Sequence, residues 1–181
     1  DGLVVVEFEN VFNDVDDWTL HTATPDFTGT GYIEWEGPNF FNQPGVSGVF
    51  TVDVEITNPG TYDLFIRNTH TDPDPTEEND VWVRVQSDPA APGNADWQKA
   101  FSNSAASIQG WVFETQFDQN PSFPQASYFL TAGTHTIEFS GRSFGFRMDR
   151  FHLAMASNPN ATNENVPQSP RQSITGDAGP N

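Results

Sequence analysis

Three carboxylates lie in otherwise apolar parts of the chain, close to its two ends. Glu7 and Glu9 follow the apolar run Val4–Val6, and Asp149 lies at the start of the last apolar stretch, 148–155. Residues two apart on a strand point the same way and lie about 7 Å from each other. If the first and last strands are neighbours, the three carboxylates converge on a hard cation such as calcium, which prefers oxygen ligands. The alternative is that all three side chains face water.

The elements that must position these carboxylates alternate apolar and polar residues with a period of two, which indicates β-strands. The clearest case is 48–56, which ends at a turn formed by Asn58, Pro59 and Gly60. Short alternating segments joined by loops rich in Gly, Pro and Asn predict an all-β fold. The expected architecture is a β-sandwich jelly roll of two antiparallel sheets. Further strands are predicted within 4–9, 62–67, 81–86, 111–117, 135–139 and 148–155.

The length and composition predict one domain followed by a tail. Residues 1–156 are assigned to the sandwich module, which is long enough to bury a core without disulfides. Residues 157–181 are rich in Asn, Pro, Ser, Thr and Gln, which is typical of a linker or extended tail leading to a neighbouring domain. There is no Cys, and the sequence starts at Asp1 without a signal peptide, so we expect a processed fragment of a secreted protein.

The charge of the chain excludes several classes of partner. Asp and Glu number 25 and Lys and Arg 7, a formal net charge of −18. This field repels a polyanion such as DNA, so nucleic acid is not an expected partner. No apolar run approaches the roughly 20 residues of a membrane helix, so no membrane partner is expected either. An excess of carboxylates is tolerated in salty water because ions screen their repulsion, which favours a marine or halophilic source.

Five short motifs appear in an order that resembles the carbohydrate-binding modules of families 6 and 35, which are appendages of polysaccharide-degrading enzymes. The motifs are Val-Val-Glu-Phe-Glu at 5–9, Gly-Thr-Gly-Tyr-Ile at 29–33, Gly-Thr-Tyr-Asp-Leu at 60–64, Ala-Gly-Thr-His-Thr-Ile at 132–137 and Met-Asp-Arg-Phe at 148–151. The resemblance implies a structural Ca²⁺ held by Glu7, Glu9 and Asp149, with a main-chain carbonyl near Thr30. It also implies a sugar site, either among the loops at one end or on a sheet face.

In the loop-end site of such modules, two aromatic residues sandwich a sugar and an Asn hydrogen-bonds it. Tyr32 matches the first aromatic, and Trp97 is the best match for the second. The position of the Asn, two residues before the metal-binding Asp, is Arg147 here, with Arg142 close by in the sequence. Guanidinium groups pair with carboxylate or sulfate, so we expect an anionic or sulfated marine polysaccharide. The alternative is that both arginines pair with local carboxylates and hold loops in place.

Two further residues complete the predicted ligand site. Trp111 begins a predicted strand beside a glycine, from which its side chain can reach the loop end. Asn79 closes a long polar loop that follows the strand ending at Arg67, and it is expected to turn toward the ligand. The acidic residues of this loop lack the regular spacing and turn glycine of a helix–loop–helix calcium site. A solvated run of charges is therefore expected there.

No arrangement of catalytic residues is recognisable. Glu7 and Glu9 are predicted to share a strand face, whereas the acid and base of a glycosidase flank a cleft. There is no nucleophile elbow and no phosphate loop. We expect a monomeric, non-catalytic module that targets a covalently linked, secreted glycoside hydrolase or polysaccharide lyase to its substrate. The alternative is a calcium-stabilised spacer or adhesion domain without a sugar site.

Overall fold

The computed structural model describes residues 2–12, 15–86 and 92–170, which form β-strands and three short 3₁₀ helices. The 3₁₀ helices span Phe8–Asn10, Pro92–Ala95 and Ala105–Ile108. The strands are β1 (Leu3–Glu7), β2 (Trp18–His21), β3 (Tyr32–Trp35), β4 (Phe50–Ile56), β5 (Gly60–Thr69), β6 (Asp80–Val85), β7 (Gln98–Phe101), β8 (Val112–Phe113), β9 (Gln116–Phe117), β10 (Ser127–Leu130), β11 (Gly133–Ser140) and β12 (Arg147–Met155). No helix among the described residues is long and apolar enough to cross a membrane.

The strands form two antiparallel sheets, which confirms the predicted fold class. The seven-stranded sheet has the order β10-β5-β12-β3-β2, with β1 also paired to β12 and β8 to β5. The five-stranded sheet has the order β4-β11-β6-β7-β9. The first and last strands are neighbours, as expected, and Glu7 lies directly opposite Arg150 in their register.

The period of two in the sequence places the core between the two sheets. Along β4 the inward residues are buried and the outward residues are exposed, in strict alternation. Phe8 contacts Phe139 of the five-stranded sheet at 5.1 Å and Phe151 of the seven-stranded sheet at 5.4 Å, between ring centroids. Such aromatic contacts are each worth about 1 kcal/mol beyond the area they bury. They join the two sheets through one buried ring.

The segment 111–117, predicted as one strand, is instead two strands that belong to different sheets. Strand β8 pairs with β5 in the seven-stranded sheet, and β9 pairs with β7 in the five-stranded sheet. Between them, buried Thr115 accepts a hydrogen bond from the Ile66 amide through its hydroxyl at 2.7 Å. Its carbonyl accepts another from the Ala126 amide at 3.0 Å. These bonds fix the segment in which the chain passes from one sheet to the other. Trp111 precedes this segment and lies at the end of the seven-stranded sheet.

Residues 157–170, called the C-terminal segment below, pack along the seven-stranded sheet without forming a strand. The amide of Val5 donates to the Ser169 hydroxyl, and the amide of Ser169 donates to the Val5 carbonyl, both at 2.9 Å. His152 donates from Nδ1 to the Ala161 carbonyl at 2.9 Å. The predicted boundary after residue 156 stays a prediction, and residues 171–181 lie outside the described part of the chain.

Candidate functional site

A cleft of about 500 Å³ opens at one end of the seven-stranded sheet. The loop after β2, the end of β5, the segment before β8, the start of β12 and the C-terminal segment form its walls. We call it the Trp111 cleft, and its lining residues are Thr24, Pro25, Asp26, Arg67, Thr69, His70, Thr71, Ile108, Gln109, Gly110, Trp111, Arg147 and Glu164.

The indole of Trp111 is the aromatic surface of this cleft. Its side chain is half-buried, and Nε1–H donates to the Pro25 carbonyl at 2.9 Å. The edge of the Tyr32 ring packs against it, with centroids 5.1 Å apart. The Arg67 guanidinium carbon lies 5.6 Å from the indole centroid, which is within cation–π range. These contacts fix the orientation of the ring before any ligand arrives.

Arg67 reaches the cleft from the end of β5 with only 5% of its side chain exposed. Nη1 donates to Asp149 Oδ2 at 2.6 Å, and Asp149 is fully buried. Nη2 donates to the Asp26 carbonyl at 2.9 Å and to Glu164 Oε2 at 2.7 Å. A buried guanidinium requires such partners, because an unpaired charge removed from water is strongly destabilising.

Arg147, at the start of β12, lines the opposite part of the cleft. Nε donates to Glu34 Oε2 at 2.7 Å, and Nη1 donates to the Thr24 hydroxyl at 3.2 Å. Its guanidinium carbon lies 6.0 Å from the Tyr32 centroid. The pairing with Glu34 matches the alternative in which the arginine holds local structure, while the guanidinium still faces the cleft.

His70 adds an uncharged imidazole to the cleft. It is 2% exposed, and burial lowers its pKa. The negative charges of Glu78 and Asp72 raise the pKa, but their effect is smaller than that of burial. Nε2 lies 2.9 Å from the Ser107 hydroxyl, and buried Nδ1 has no partner among the described residues. At neutral pH the ring is therefore neutral and can donate or accept a hydrogen bond.

Tyr32 and Trp97, the two expected stacking residues, lie on different sheets. Tyr32 is 1% exposed, and it supports Trp111 and stacks on His21 with centroids 5.8 Å apart. Trp97 precedes β7 of the five-stranded sheet, where the Arg84 guanidinium lies 4.5 Å above its ring. Because Tyr32 is buried, its ring has no open face for a sugar, and the two residues do not form the expected sandwich in this structure.

Arg142 and Asn79 also lie outside the lining of the Trp111 cleft. Arg142 pairs with the carboxylate of Asp80, and its guanidinium lies 5.1 Å from the Trp82 ring. Asn79 is 3% exposed and donates through Nδ2 to the Ser102 carbonyl at 2.6 Å. Both side chains hold the loops beside the five-stranded sheet. Of the six predicted ligand residues, Trp111 and Arg147 line the cleft, and Tyr32 packs behind it.

Three residues that line the cleft were not predicted from the sequence, namely Arg67, His70 and Glu164. Arg67 could have been recognised from the sequence, because it lies at the end of a long alternating strand in a chain with few cations. A guanidinium in such a position requires a carboxylate partner. Glu164 could not have been recognised from the sequence, because it lies in a polar stretch without periodicity.

The three carboxylates expected to bind calcium lie near one another, although not on a single strand face. Glu7 is the last residue of β1, whereas Glu9 lies in the 3₁₀ helix that follows. The hydroxyl of Thr28 is 2.9 Å from both Glu7 Oε2 and Asp149 Oδ2. Glu9 Oε1 accepts a hydrogen bond from the Thr30 amide at 2.9 Å.

Guanidinium groups already neutralise two of these carboxylates. Arg150 forms an ion pair with Glu7, and Arg67 pairs with Asp149. Burial raises the pKa of Glu9, with a smaller contribution from the two neighbouring carboxylates. Among the described residues, no three Asp, Glu or His side chains are arranged to hold a metal ion. Guanidinium groups thus hold two of the carboxylates that were expected to bind calcium, and the predicted site at Glu7, Glu9, Thr30 and Asp149 stays a prediction.

Comparison with known sequences gives one informative relative. No protein-family profile matches the chain. Uncharacterized protein P23 of Formosa agariphila is 28% identical over 129 residues, which is 67% of this chain. The chain spans only 29% of the length of that protein.

Solved structures show the same fold. A family 35 carbohydrate-binding module from Clostridium thermocellum matches 84% of this chain and 98% of its own, with a TM-score of 0.52 and 15% identity. The C-terminal family 6 module of LamC, a marine laminarinase from Zobellia galactanivorans, matches 84% of this chain and 99% of its own, with a TM-score of 0.54 and 11% identity. The Podospora anserina GH26-CBM35 β-(1,4)-mannanase matches 88% of this chain but 29% of its own, with a TM-score of 0.59 and 19% identity.

The chain therefore has the fold of family 6 and family 35 carbohydrate-binding modules, as the sequence motifs predicted. The structures that it matches along nearly their whole length are binding modules, whereas it matches less than a third of the mannanase.

Proposed function

We propose that this protein is a non-catalytic carbohydrate-binding module that holds a polysaccharide or oligosaccharide in the Trp111 cleft. The observation that carries the proposal is a half-exposed, pre-oriented indole surrounded by converging polar groups. The apolar face of a sugar ring can stack on the indole, while Thr24 and Arg147 hydrogen-bond its hydroxyls. Ligand sites commonly combine an aromatic surface with a few placed polar groups in this way.

We further propose that the module is a secreted monomer, linked to a catalytic domain that it brings to a polymer. The support is that the chain matches 29% of the P23 sequence and 29% of the mannanase chain, so similar modules occur within longer proteins. The mannanase and the laminarinase are both named for action on polysaccharides.

The pairing of two arginines bears on the class of polymer that the module binds. The expectation of an anionic or sulfated marine polysaccharide rested on Arg142 and Arg147. Both guanidinium groups are ion-paired, with Asp80 and Glu34 respectively. A binding panel must therefore contain both uncharged and anionic polymers.

The test is affinity electrophoresis of the whole chain through gels that contain agar, laminarin, xylan, alginate, carrageenan, ulvan or porphyran. We expect retardation in at least one gel. Trp111→Ala should weaken it by about tenfold, which corresponds to about 1.4 kcal/mol, because the stacking surface is lost. Trp97→Ala, a matched change on the five-stranded sheet, should migrate like wild type. Melting temperatures of both variants check that each one is folded.

Three other outcomes would redirect the assignment. Loss of retardation in Trp97→Ala alone would place the sugar on the five-stranded sheet. Absence of retardation in every gel would favour a spacer or adhesion domain. Release of new reducing or unsaturated ends from any polymer would show catalysis.

A further inference from the structure

Glu164 extends from the C-terminal segment into the Trp111 cleft and contacts its most buried cation. Its Oε2 accepts a hydrogen bond from Arg67 Nη2 at 2.7 Å, across 97 positions of sequence. The Glu164 side chain is 52% exposed, whereas Arg67 is 5% exposed. The carboxylate thus lies between the guanidinium and the open side of the cleft.

The backbone on both sides of Glu164 is anchored to the sheet, so the carboxylate is held in position by the fold. Arg150 Nη1 donates to the carbonyl of Glu164 at 2.9 Å and to the carbonyl of Val166 at 3.0 Å. Earlier in the segment, the carbonyl of Ala161 accepts from His152. An exposed surface glutamate would lack these restraints.

Among the described residues, neither of the two guanidinium groups that line the cleft is unpaired and available for an anionic ligand. Arg67 already faces two carboxylates, buried Asp149 and exposed Glu164. Arg147 pairs with Glu34. A carboxylate or sulfate group entering the cleft would meet the negative charge of Glu164 before it reached Arg67. The net charge of −18 adds repulsion at longer range.

We infer that Glu164 is a specificity-determining residue that makes the Trp111 cleft accept uncharged sugar units and exclude uronates and sulfated sugars. This inference rests on the proposed sugar site and narrows its ligand class. Glu164 acts by occupying the guanidinium edge that would otherwise bind the carboxylate of a uronate. Carboxylate–guanidinium pairs are strong and geometrically specific, so the internal carboxylate competes directly with an external one.

The decisive variant is Glu164→Gln, which keeps the side-chain size and an acceptor oxygen but removes the charge. A sugar carboxylate can then displace the weaker amide partner of Arg67. The matched control is Glu55→Gln, on the exposed face of β4 in the five-stranded sheet, which changes the net charge equally. Each whole chain is run through gels of laminarin and of xylan free of glucuronate side groups, which are uncharged, and through alginate and carrageenan gels, which are anionic.

We expect wild type to bind an uncharged polymer and to pass unretarded through alginate and carrageenan. Glu164→Gln should bind alginate or carrageenan about tenfold more tightly than Glu55→Gln, while its affinity for the uncharged polymer stays within about threefold of wild type. Equal behaviour of the two variants in the anionic gels would overturn the inference. So would stronger retardation of wild type by alginate than by either uncharged polymer.

A second measurement separates this inference from the proposed function. Glucuronate and glucose are titrated separately while the Trp111 indole N–H signal is followed by NMR. A saturable shift with glucuronate in Glu164→Gln, absent from wild type and from Glu55→Gln, supports the role of Glu164 even if no polymer in the panel binds. No such shift in Glu164→Gln counts against it. Retention of polymer binding by Trp111→Ala, in contrast, refutes the sugar site itself.

Discussion

The tryptophan side chains have three different environments. The neighbouring residues in the sequence predict these environments only in part. Trp18 and Trp35 belong to the core, Trp82 and Trp97 carry guanidinium groups on the five-stranded sheet, and Trp111 lines the cleft. In the sequence, Trp35 lies between Glu34 and Glu36, an alternation that is equally typical of a core residue and of a stacking platform. The structure buries it because glycine makes room: a Cβ at Gly141 would lie 2.4 Å from its ring. Such a contact spans 106 positions and has no local signature.

At the scale of single residues, His152 gives the sharpest prediction of pH dependence. It is fully buried, and burial lowers its pKa from the ordinary value of 6.5 to about 4. Nδ1–H donates to the Ala161 carbonyl, and Nε2 has no partner among the described residues. The folded state therefore favours the neutral ring. Between pH 6.5 and 4 the unfolded chain takes up a proton that the folded chain does not, so stability falls as the pH falls.

The expected size of the effect follows from the pKa difference. Wild type should lose about 3 kcal/mol more unfolding free energy than His152→Gln between pH 7 and pH 4. The measurement is urea denaturation of both proteins at several pH values. Glu9 and Asp149, whose pKa values are raised, act in the opposite sense, but they are common to both proteins and cancel in the comparison. Parallel pH profiles for the two proteins would contradict the assignment.

At the scale of elements, the start of β12 brings together charged residues that lie far apart in the sequence. The pairing of β12 with β5 is irregular between Met148 and Arg150, which leaves Asp149 as an extra residue. Asp149 then meets Arg67, while Arg150 meets Glu7 across the β1 pairing. The pairing of the first and last strands was predictable. The irregularity was not predictable, because the alternation in the sequence is equally compatible with a regular strand and with an extra residue at Asp149.

This arrangement predicts how the fold responds to a chelator and to loss of Arg150. Because guanidinium groups neutralise Glu7 and Asp149, EDTA should leave the melting temperature of wild type unchanged. Arg150→Met should cost about 3–5 kcal/mol, since it leaves a buried carboxylate without its partner. Thermal and urea unfolding with and without EDTA measure both effects. A melting temperature that falls in EDTA and recovers with added calcium would instead support the metal site implied by the family resemblance.

The C-terminal segment is the element for which the sequence was least informative. Its contacts with the sheet include hydrogen bonds to Val5, Arg150 and His152 and the ion pair of Glu164 with Arg67, so it needs no apolar period to bind. The strands, in contrast, were recognisable because each buries one face. A polar composition alone therefore does not distinguish a free tail from a segment held by buried polar side chains.

Removing this segment tests its contribution to the fold. A chain ending at residue 156 should lose about 3 kcal/mol of unfolding free energy, since several hydrogen bonds are each worth about 1 kcal/mol. A chain ending at residue 170 keeps every contact described for the segment and serves as the control. Equal urea midpoints for the two truncated chains would show that the segment does not stabilise the sandwich.

At the scale of the whole molecule, the net charge of −18 acts on folding as well as on partner choice. Carboxylates such as Asp53 and Glu55 are exposed along the outer face of the five-stranded sheet, far in excess of the available cations. Their mutual repulsion is strongest in the compact state. The Debye length shortens from about 30 Å at 0.01 M salt to about 8 Å at 0.15 M, so modest salt should relieve most of this repulsion.

We therefore expect the melting temperature to rise with NaCl, by about 2–4 °C for each kcal/mol of repulsion relieved. Most of the rise should occur below about 0.2 M, where screening changes fastest. A scan from low to molar NaCl distinguishes the possible causes. A rise that continues linearly to molar salt would indicate exclusion of salt from the protein surface, and a flat or falling curve would show that the ion pairs of Arg67, Arg147 and Arg150 outweigh the surface repulsion. Only the early, saturating rise fits a fold whose buried charges are paired and whose exposed charges repel.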